Sequence, residues 1–60
     1  MLNDRQKSML NIIETHGDIS LNDLSHLFPA VSVMTLRRDL IQLEQAGYVL
    51  RTRGGAVSLK

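Results

Sequence analysis

The chain has no cysteine and no tryptophan, and its only aromatic residues are Phe28 and Tyr48. Without cysteine it can form neither a disulfide framework nor a thiolate metal site, which fits a reducing cytoplasm. Its longest apolar runs extend over only a few residues and are too short for a membrane span or the core of a signal peptide. At 60 residues the chain has room for one hydrophobic core but not for an enclosed catalytic cleft. We therefore expect a single small cytoplasmic domain that is not an enzyme and does not enter a membrane.

The charge of this chain is low but unevenly distributed. The net charge is +1, yet residues 1–30 carry −2 and residues 31–60 carry +3. The basic residues of the second half are Arg37, Arg38, Arg51, Arg53 and Lys60. If the protein has a surface that binds phosphate groups, that surface belongs to the second half.

Three stretches with apolar residues at helical spacing predict three α-helices. They extend over residues 3–16, 21–28 and 33–46. Each begins beside a polar side chain that can cap its first turn, and in the first two helices a partner three positions later can complete a capping box. These caps are Asn3 with Gln6, Ser20 with Asp23, and Ser32. The apolar residues expected to face the core are Met9, Leu10 and Ile13, then Leu21, Leu24, Leu27 and Phe28, then Val33, Leu36, Leu40 and Leu43.

The second and third predicted helices are joined by a very short turn. Pro29 cannot continue the second helix, because it has no amide hydrogen to donate, and the next cap follows at Ser32. Two helices joined this tightly must cross at a steep angle, which is the geometry of a helix-turn-helix motif.

Two β-prone runs follow the third helix and flank Gly54 and Gly55. The runs extend over residues 48–53 and 56–60. This pattern predicts a hairpin with a two-residue glycine turn at positive φ, in which Arg53 pairs with Ala56. Side-chain alternation then places Leu50, Thr52, Val57 and Leu59 against the helices, and Val49, Arg51, Arg53 and Lys60 on an outer, cationic face. The expected fold is mainly α with a small β-hairpin: a three-helix winged helix-turn-helix over residues 1–60, with the wing at about 48–60.

The third helix has an outward side opposite its leucine stripe. At about 100° per residue, that side holds Met34, Arg38 and Gln45, with Thr35, Ile41 and Gln42 toward its margins and Arg37 on a flank. If the first two turns of the helix enter a DNA major groove, Met34, Thr35 and Arg38 would read base edges and Arg37 would hold phosphate. The candidate contacts to double-stranded DNA are Ser32, Met34, Thr35, Arg37, Arg38, Gln42, Arg51, Arg53, Gly54 and Gly55.

The same features also have plainer explanations. Neighbouring arginines on a helix usually form a solvated face, and Asp39 or Glu44 could pair locally with Arg37 and Arg38. A winged helix can also serve as a protein or RNA interaction module, and here its contact surface would unite Met34, Ile41 and Val49.

Metal or cofactor chemistry has little support in this sequence. His16 and His26 do not have the spacing of metal ligands, and no nucleophile, base and orienting group can be assembled. We expect no metal, no cofactor and no small-molecule site in this domain.

One segment resembles the signature of a known family. Residues 31–40, read as Val-Ser-Val-Met-Thr-Leu-Arg-Arg-Asp-Leu, are similar to the corresponding segment of the DeoR family of bacterial transcription repressors. The similarity continues through Leu43, Glu44, Gly47, Arg51 and residues 54–56, and it includes Arg5, so it extends over nearly the whole chain.

The resemblance implies a winged helix that binds an operator near genes of carbohydrate metabolism. It implies a recognition helix over residues 32–46, with Ser32, Thr35, Arg37 and Arg38 facing DNA. It also implies a separate C-terminal domain that binds a sugar-phosphate effector and forms oligomers, so that residues 1–60 are the N-terminal part of a longer chain. Asp39 is expected to order an arginine or cap structure rather than touch DNA, because phosphates repel a carboxylate.

Two features depart from the usual family pattern. The turn over residues 28–32 is one residue longer than usual, which bears on the angle between the second and third helices. Arg53 stands where the family often has histidine before Gly-Gly-Ala, which increases the charge of the wing.

Overall fold

The chain folds into three helices and a small three-stranded antiparallel sheet, seen here in a computed structural model that describes residues 1–59. In chain order the elements are α1 (Asp4–His16), β1 (Asp18–Ser20), α2 (Leu21–Leu27), α3 (Val33–Gln45), β2 (Val49–Thr52) and β3 (Gly55–Ser58). The predicted winged helix-turn-helix is confirmed, and each helix lies within one residue of its predicted ends. Lys60, predicted on the cationic face of the wing, lies outside the described residues.

Side-chain caps define where the helices begin. The Asn3 side chain accepts from the Gln6 amide at 2.7 Å, and the Gln6 side chain accepts from the Asn3 amide at 3.0 Å. Ser20 and Ser32 accept from the third amide of α2 and of α3 at 3.0 Å and 3.2 Å. The capping box predicted for α1 is therefore complete, whereas at Ser20 only the bond to its hydroxyl oxygen forms.

The helix-turn-helix connection is tight, as predicted. Phe28 ends α2, and its carbonyl accepts from the Val31 amide at 3.0 Å across the turn. Ser32 then caps α3 directly. This leaves four residues between Phe28 and the first residue of α3, so the two helices are held at a fixed angle.

The strand β1 was not predicted from the sequence. It pairs with β3 in the sheet order β1-β3-β2, and Ile19 lies opposite Ala56. A segment of three residues has too little side-chain alternation to be recognised alone. Its strand conformation depends on the ladder that β3 offers it.

The predicted register of the hairpin is wrong. Thr52 pairs with Gly55, so the two-residue turn consists of Arg53 and Gly54, and the predicted Arg53–Ala56 pair does not form. Neither glycine of the hairpin has a positive φ. The reason is the third strand: Gly55 is drawn into the sheet, where a Cβ atom would lie 1.9 Å from the carbonyl oxygen of Ile19.

The predicted assignment of the two wing faces is also wrong. Val49 and Ala56 are buried in the core, whereas Leu50 is 52% exposed. The side expected to cover the helices is thus the outer one, with Leu50, Thr52, Val57 and Leu59. Alternation divides the residues into two sets correctly, but both sets contain apolar residues, and only the packing of the helices decides which set is buried.

The core joins all three helices to the inner face of the sheet. Its fully buried large side chains are Met9, Ile13, Leu24, Leu36, Leu43 and Val49. Leu27 and Val33 were predicted to be in the core but are exposed, because they are the last residue of α2 and the first of α3, beyond the reach of the opposing elements.

Candidate nucleic-acid interface

The outward side of α3 is open and positively charged. Met34 is 72% exposed, and Arg37 and Arg38 are both exposed. Among residues 1–59, neither arginine forms a hydrogen bond or an ion pair. The local pairing of these arginines with Asp39 or Glu44 is therefore absent, and both guanidinium groups are available to a ligand.

The carboxylate of Asp39 faces α1 and not this surface. Its carboxylate accepts from Arg5 Nε at 2.5 Å, from Arg5 Nη2 at 3.1 Å and from Gln6 Nε2 at 3.1 Å, and its side chain is almost completely buried. The hydrogen bond from Asp39 raises the pKa of the Arg5 guanidinium above its usual value. As expected, Asp39 orders an arginine, but that arginine comes from α1. The network fixes the rotation of α3 against α1 and removes a negative charge from beside Arg38.

The polar residues at the margin of the outward side have internal partners. The Ser32 hydroxyl donates to Thr35 Oγ1 at 2.9 Å while its oxygen caps α3. Gln42 accepts a hydrogen bond from the Gln6 side chain. Ser32 is thus occupied mainly by capping, and Thr35 and Gln42 each keep free donor groups.

The side chain of Arg51 bonds to α3 and does not lie on the outer face of the wing. Its amide and its Nε donate to the two carboxylate oxygens of Glu44 at 2.9 Å and 3.0 Å. The bond from the Arg51 amide, followed by the bond from its side chain, lowers the pKa of Glu44 below its usual range. The predicted common face of Arg51 and Arg53 is therefore not formed, because the true register places Arg53 in the turn and turns Arg51 toward α3.

A groove between α3 and the wing nevertheless brings three arginines together. Arg37 from α3, Arg51 from β2 and Arg53 from the turn all line it. The backbone of Gly54 and Gly55 forms part of the same wall, although Gly55 itself is buried against β1 and is glycine for that structural reason. An open groove with guanidinium groups from two elements is suited to a continuous polyanion such as a phosphate backbone.

Sequence reasoning missed two residues that organise this surface, Gln6 and Glu44. Gln6 is buried and bridges α1 to α3, and Glu44 ties the wing to α3. The local sequence predicts that Gln6 caps α1. The partners that Gln6 and Glu44 bind across the fold, Asp39 and Arg51, lie 33 and 7 residues away, and no local pattern indicates such contacts.

We also searched the described part of the chain for an apolar docking patch, a metal site and a membrane-spanning helix. Val49 is buried, so Met34, Ile41 and Val49 do not form the apolar patch that a protein or RNA interaction module would use. Within residues 1–59 there is no group of three or more histidine or acidic side chains that could hold a metal ion. None of the helices in that range is long and apolar enough to cross a membrane.

Comparison with known proteins agrees with this geometry. Residues 5–60 match the family model of the DeoR-like helix-turn-helix domain. An uncharacterised helix-turn-helix transcriptional regulator of Haemophilus influenzae is 42% identical over 95% of the chain. The transcriptional repressor AccR of Agrobacterium fabrum is 39% identical over 93%, and a putative galactitol utilization operon repressor of Escherichia coli is 36% identical over 93%. No solved structure matches at a comparable level of significance.

The match extends over only part of each relative. The chain spans 22% of the length of the Haemophilus protein, 21% of AccR and 49% of the galactitol operon repressor. The similarity therefore concerns one domain of proteins that are about two to five times as long as this chain.

Proposed function

Because the chain belongs to the DeoR-like helix-turn-helix family, a family of DNA-binding regulators and not of enzymes, we propose that it reads a DNA operator with α3 in the major groove. The wing turn, Arg53–Gly54, would lie against the adjacent phosphate backbone. The observation that carries this model is the outward side of α3, where Arg37 and Arg38 are exposed and unpaired within residues 1–59. The arginine groove beside it would hold the backbone while α3 reads base edges.

The salt dependence of binding tests this model. If roughly four phosphates are neutralised, the logarithm of the affinity should fall with the logarithm of the salt concentration at a slope of about −3.6. Fluorescence anisotropy with a labelled duplex, repeated between low and physiological salt, measures the slope. A flat response would contradict the proposed backbone contacts.

We propose that these 60 residues are the N-terminal part of a longer repressor of carbohydrate-metabolism genes. The names of two relatives, a transcriptional repressor and a putative galactitol utilization operon repressor, support this proposal. A further C-terminal domain would bind a sugar phosphate and form oligomers. With the full-length protein bound to its operator, titration with a panel of sugar phosphates should release the DNA, whereas the 60-residue domain should not respond.

We further propose that the domain acts in the cytoplasm, where bacterial DNA is found, and needs no cofactor. The arginines that would contact DNA in this proposal, Arg37, Arg38 and Arg53, belong to the chain itself. Dialysis against EDTA should therefore leave its affinity for DNA unchanged, and a loss of affinity restored by a metal ion would contradict this.

A further inference from the structure

The outward side of α3 offers hydrogen-bond donors but few acceptors. At its start, the Ser32 hydroxyl donates its proton to Thr35 Oγ1 at 2.9 Å. With the Ser32 proton on Thr35 Oγ1, the hydroxyl hydrogen of Thr35 is directed away from Ser32 and one of the two lone pairs of its oxygen is used. Thr35 is half-buried beside the exposed first turn, and its hydroxyl hydrogen is available to a ligand.

Gln42 also presents a donor to the exposed side, because a chain of hydrogen bonds that begins at the start of α1 fixes its orientation. The Asn3 amide can only donate, and it contacts Gln6 Oε1 at 3.0 Å, so Gln6 must turn its Nε2 toward α3. There Gln6 Nε2 donates to Asp39 at 3.1 Å and to the side-chain oxygen of Gln42. The acceptor of Gln42 is used inside the protein, and its NH₂ group is left for the exposed side.

Arg38 completes this set. Its guanidinium carries donors only, it is exposed, and within residues 1–59 it has no partner. The neighbouring carboxylate of Asp39 faces α1. Beside these three donors stands the exposed apolar side chain of Met34.

Base edges in the major groove differ in what they offer to such a surface. Guanine presents two acceptors, O6 and N7, and thymine presents the O4 acceptor together with a methyl group. Cytosine presents an amino donor, and adenine presents one acceptor and one amino donor. A donor facing an amino group leaves both without a partner, which is costly once water is excluded.

We propose that α3 selects keto bases, guanine and thymine, on the DNA strand that Thr35, Arg38 and Gln42 face. This inference rests on the proposed function. Arg38 pairs with guanine, and Met34 contacts the methyl group of a neighbouring thymine. The contribution of Gln42 to this selectivity arises from α1, because Asn3 and Gln6 set the hydrogen-bond polarity of Gln42.

Selection of bound sequences from random duplex DNA, using the 60-residue domain at low salt, tests the proposal. We expect a short motif in which one strand is enriched in guanine and thymine at the contacted positions. Methylation and thymine-modification interference on the selected duplex identifies the contacted strand. A specific motif with cytosine or adenine at those positions would overturn the keto selection while leaving DNA binding intact. Failure to enrich or shift any duplex would instead overturn the proposed function.

A matched pair of substitutions tests the role of Gln42 in base selection. Gln42→Glu keeps the oxygen that accepts from Gln6 but replaces the outward donor by an acceptor. We expect the preference at one position to move from a keto base toward cytosine, with a change of about tenfold in the affinity ratio. Gln45→Glu adds the same charge in the last turn of α3 and should weaken binding to all duplexes alike. If Gln42→Glu also weakens all duplexes equally, the assignment of Gln42 to base selection is wrong.

Discussion

Two adjacent glycines in the wing have different reasons to be glycine. A Cβ atom at Gly55 would lie 1.9 Å from the carbonyl oxygen of Ile19 and 2.7 Å from the Cα of Ser20, whereas one at Gly54 would meet nothing within 4 Å. Both clashing atoms belong to the backbone of β1, which cannot move without breaking the sheet. Gly55 is thus required by the close approach of two strands rather than by contact with DNA.

Gly55→Ala should therefore destabilise the domain by about 2 kcal/mol or more, because overpacking against backbone cannot be relieved by a change of rotamer. Gly54→Ala is the matched control and should change stability by no more than about 0.5 kcal/mol. Urea denaturation followed by circular dichroism measures both. Equal stability of the two variants would show that β1 does not pack on Gly55 in solution.

Arg37 and Arg38 are neighbours in sequence but project from different sides of α3. Arg38 lies opposite the buried leucines, while Arg37 lines the groove shared with the wing. Arg38→Ala should reduce the preference for the operator over random DNA by about 1–3 kcal/mol. Arg37→Ala should weaken both duplexes similarly and reduce the magnitude of the salt slope by about 0.9. Competition binding of operator and random duplexes at two salt concentrations distinguishes the two variants. The same loss of preference and the same salt slope in both would contradict this division of roles.

At the scale of elements, α1 positions α3 through a buried carboxylate. Asp39 is one residue from Arg38, yet its partners Arg5 and Gln6 are 34 and 33 residues away. Because the pair is partly buried, removal of one charge leaves the other poorly solvated.

Asp39→Asn should destabilise the domain by about 1–3 kcal/mol. The double variant with Arg5→Gln should cost less than the sum of the two single changes, since the second substitution removes a charge that already lacks its partner. A thermodynamic cycle from urea denaturation gives the coupling. Strict additivity would mean that the ion pair does not form in solution.

The side chain of Glu44 on α3 forms hydrogen bonds to the wing. Glu44 accepts from both the amide and the side chain of Arg51, and these bonds lower the pKa of Glu44 from its usual value of 4.5. A carboxyl group whose folded-state pKa is depressed adds stability above its unfolded pKa, and this stability is lost as the pH falls through the folded value.

The hydrogen bonds between Glu44 and Arg51 should therefore persist at neutral pH and be lost only as the pH falls below 4.5. In an NMR titration, the Arg51 amide resonance should shift with a midpoint below 4.5, in step with the Glu44 carboxyl carbon. Glu44→Gln, which cannot titrate, should abolish this shift. A midpoint at or above 4.5 would show that the pair is not formed.

The elements differ in how far they could be predicted from the sequence. The three helices have caps and apolar spacing that repeat over several turns, so their bounds were predicted within a residue. The strand β1 has three residues, and the wing has apolar residues on both of its faces. For these short segments the local pattern is consistent with more than one register, and the choice is made by pairing and packing.

At the scale of the whole molecule, one domain is too small to read a two-part operator. Its longest dimension, measured over Cα atoms, is 27 Å, whereas successive major grooves on one face of DNA lie about 34 Å apart. On the proposed function, a single copy would contact one half-site, and we expect tight binding to require that two copies be joined.

Two copies joined by a flexible linker of about 40 residues, which can span about 34 Å, should bind paired half-sites at least about 100-fold more tightly than one copy does. The linked protein on DNA with one half-site scrambled is the control and should bind about as weakly as the single domain. Equal affinity of the single and linked proteins for the paired site would contradict a half-site model.

Local sequence determined the helices, their caps and the outward position of Met34, Arg37 and Arg38. These features depend on residues within a few positions of one another, and the helical period alone separates the buried leucines from the exposed arginines. They are sufficient to predict a winged helix-turn-helix with a recognition helix.

Only the tertiary structure decided which wing face is buried, why Gly55 is glycine, and which donors remain free on α3. Each depends on a partner distant in sequence: β1 on Gly55, α1 on Asp39 and Gln42. Such contacts depend on the packed fold, in which buried polar groups are paired by hydrogen bonds. In the hairpin the larger apolar residues, Leu50, Val57 and Leu59, lie on the side that is not buried against the helices, so the apolar content of the two sides indicated the wrong face.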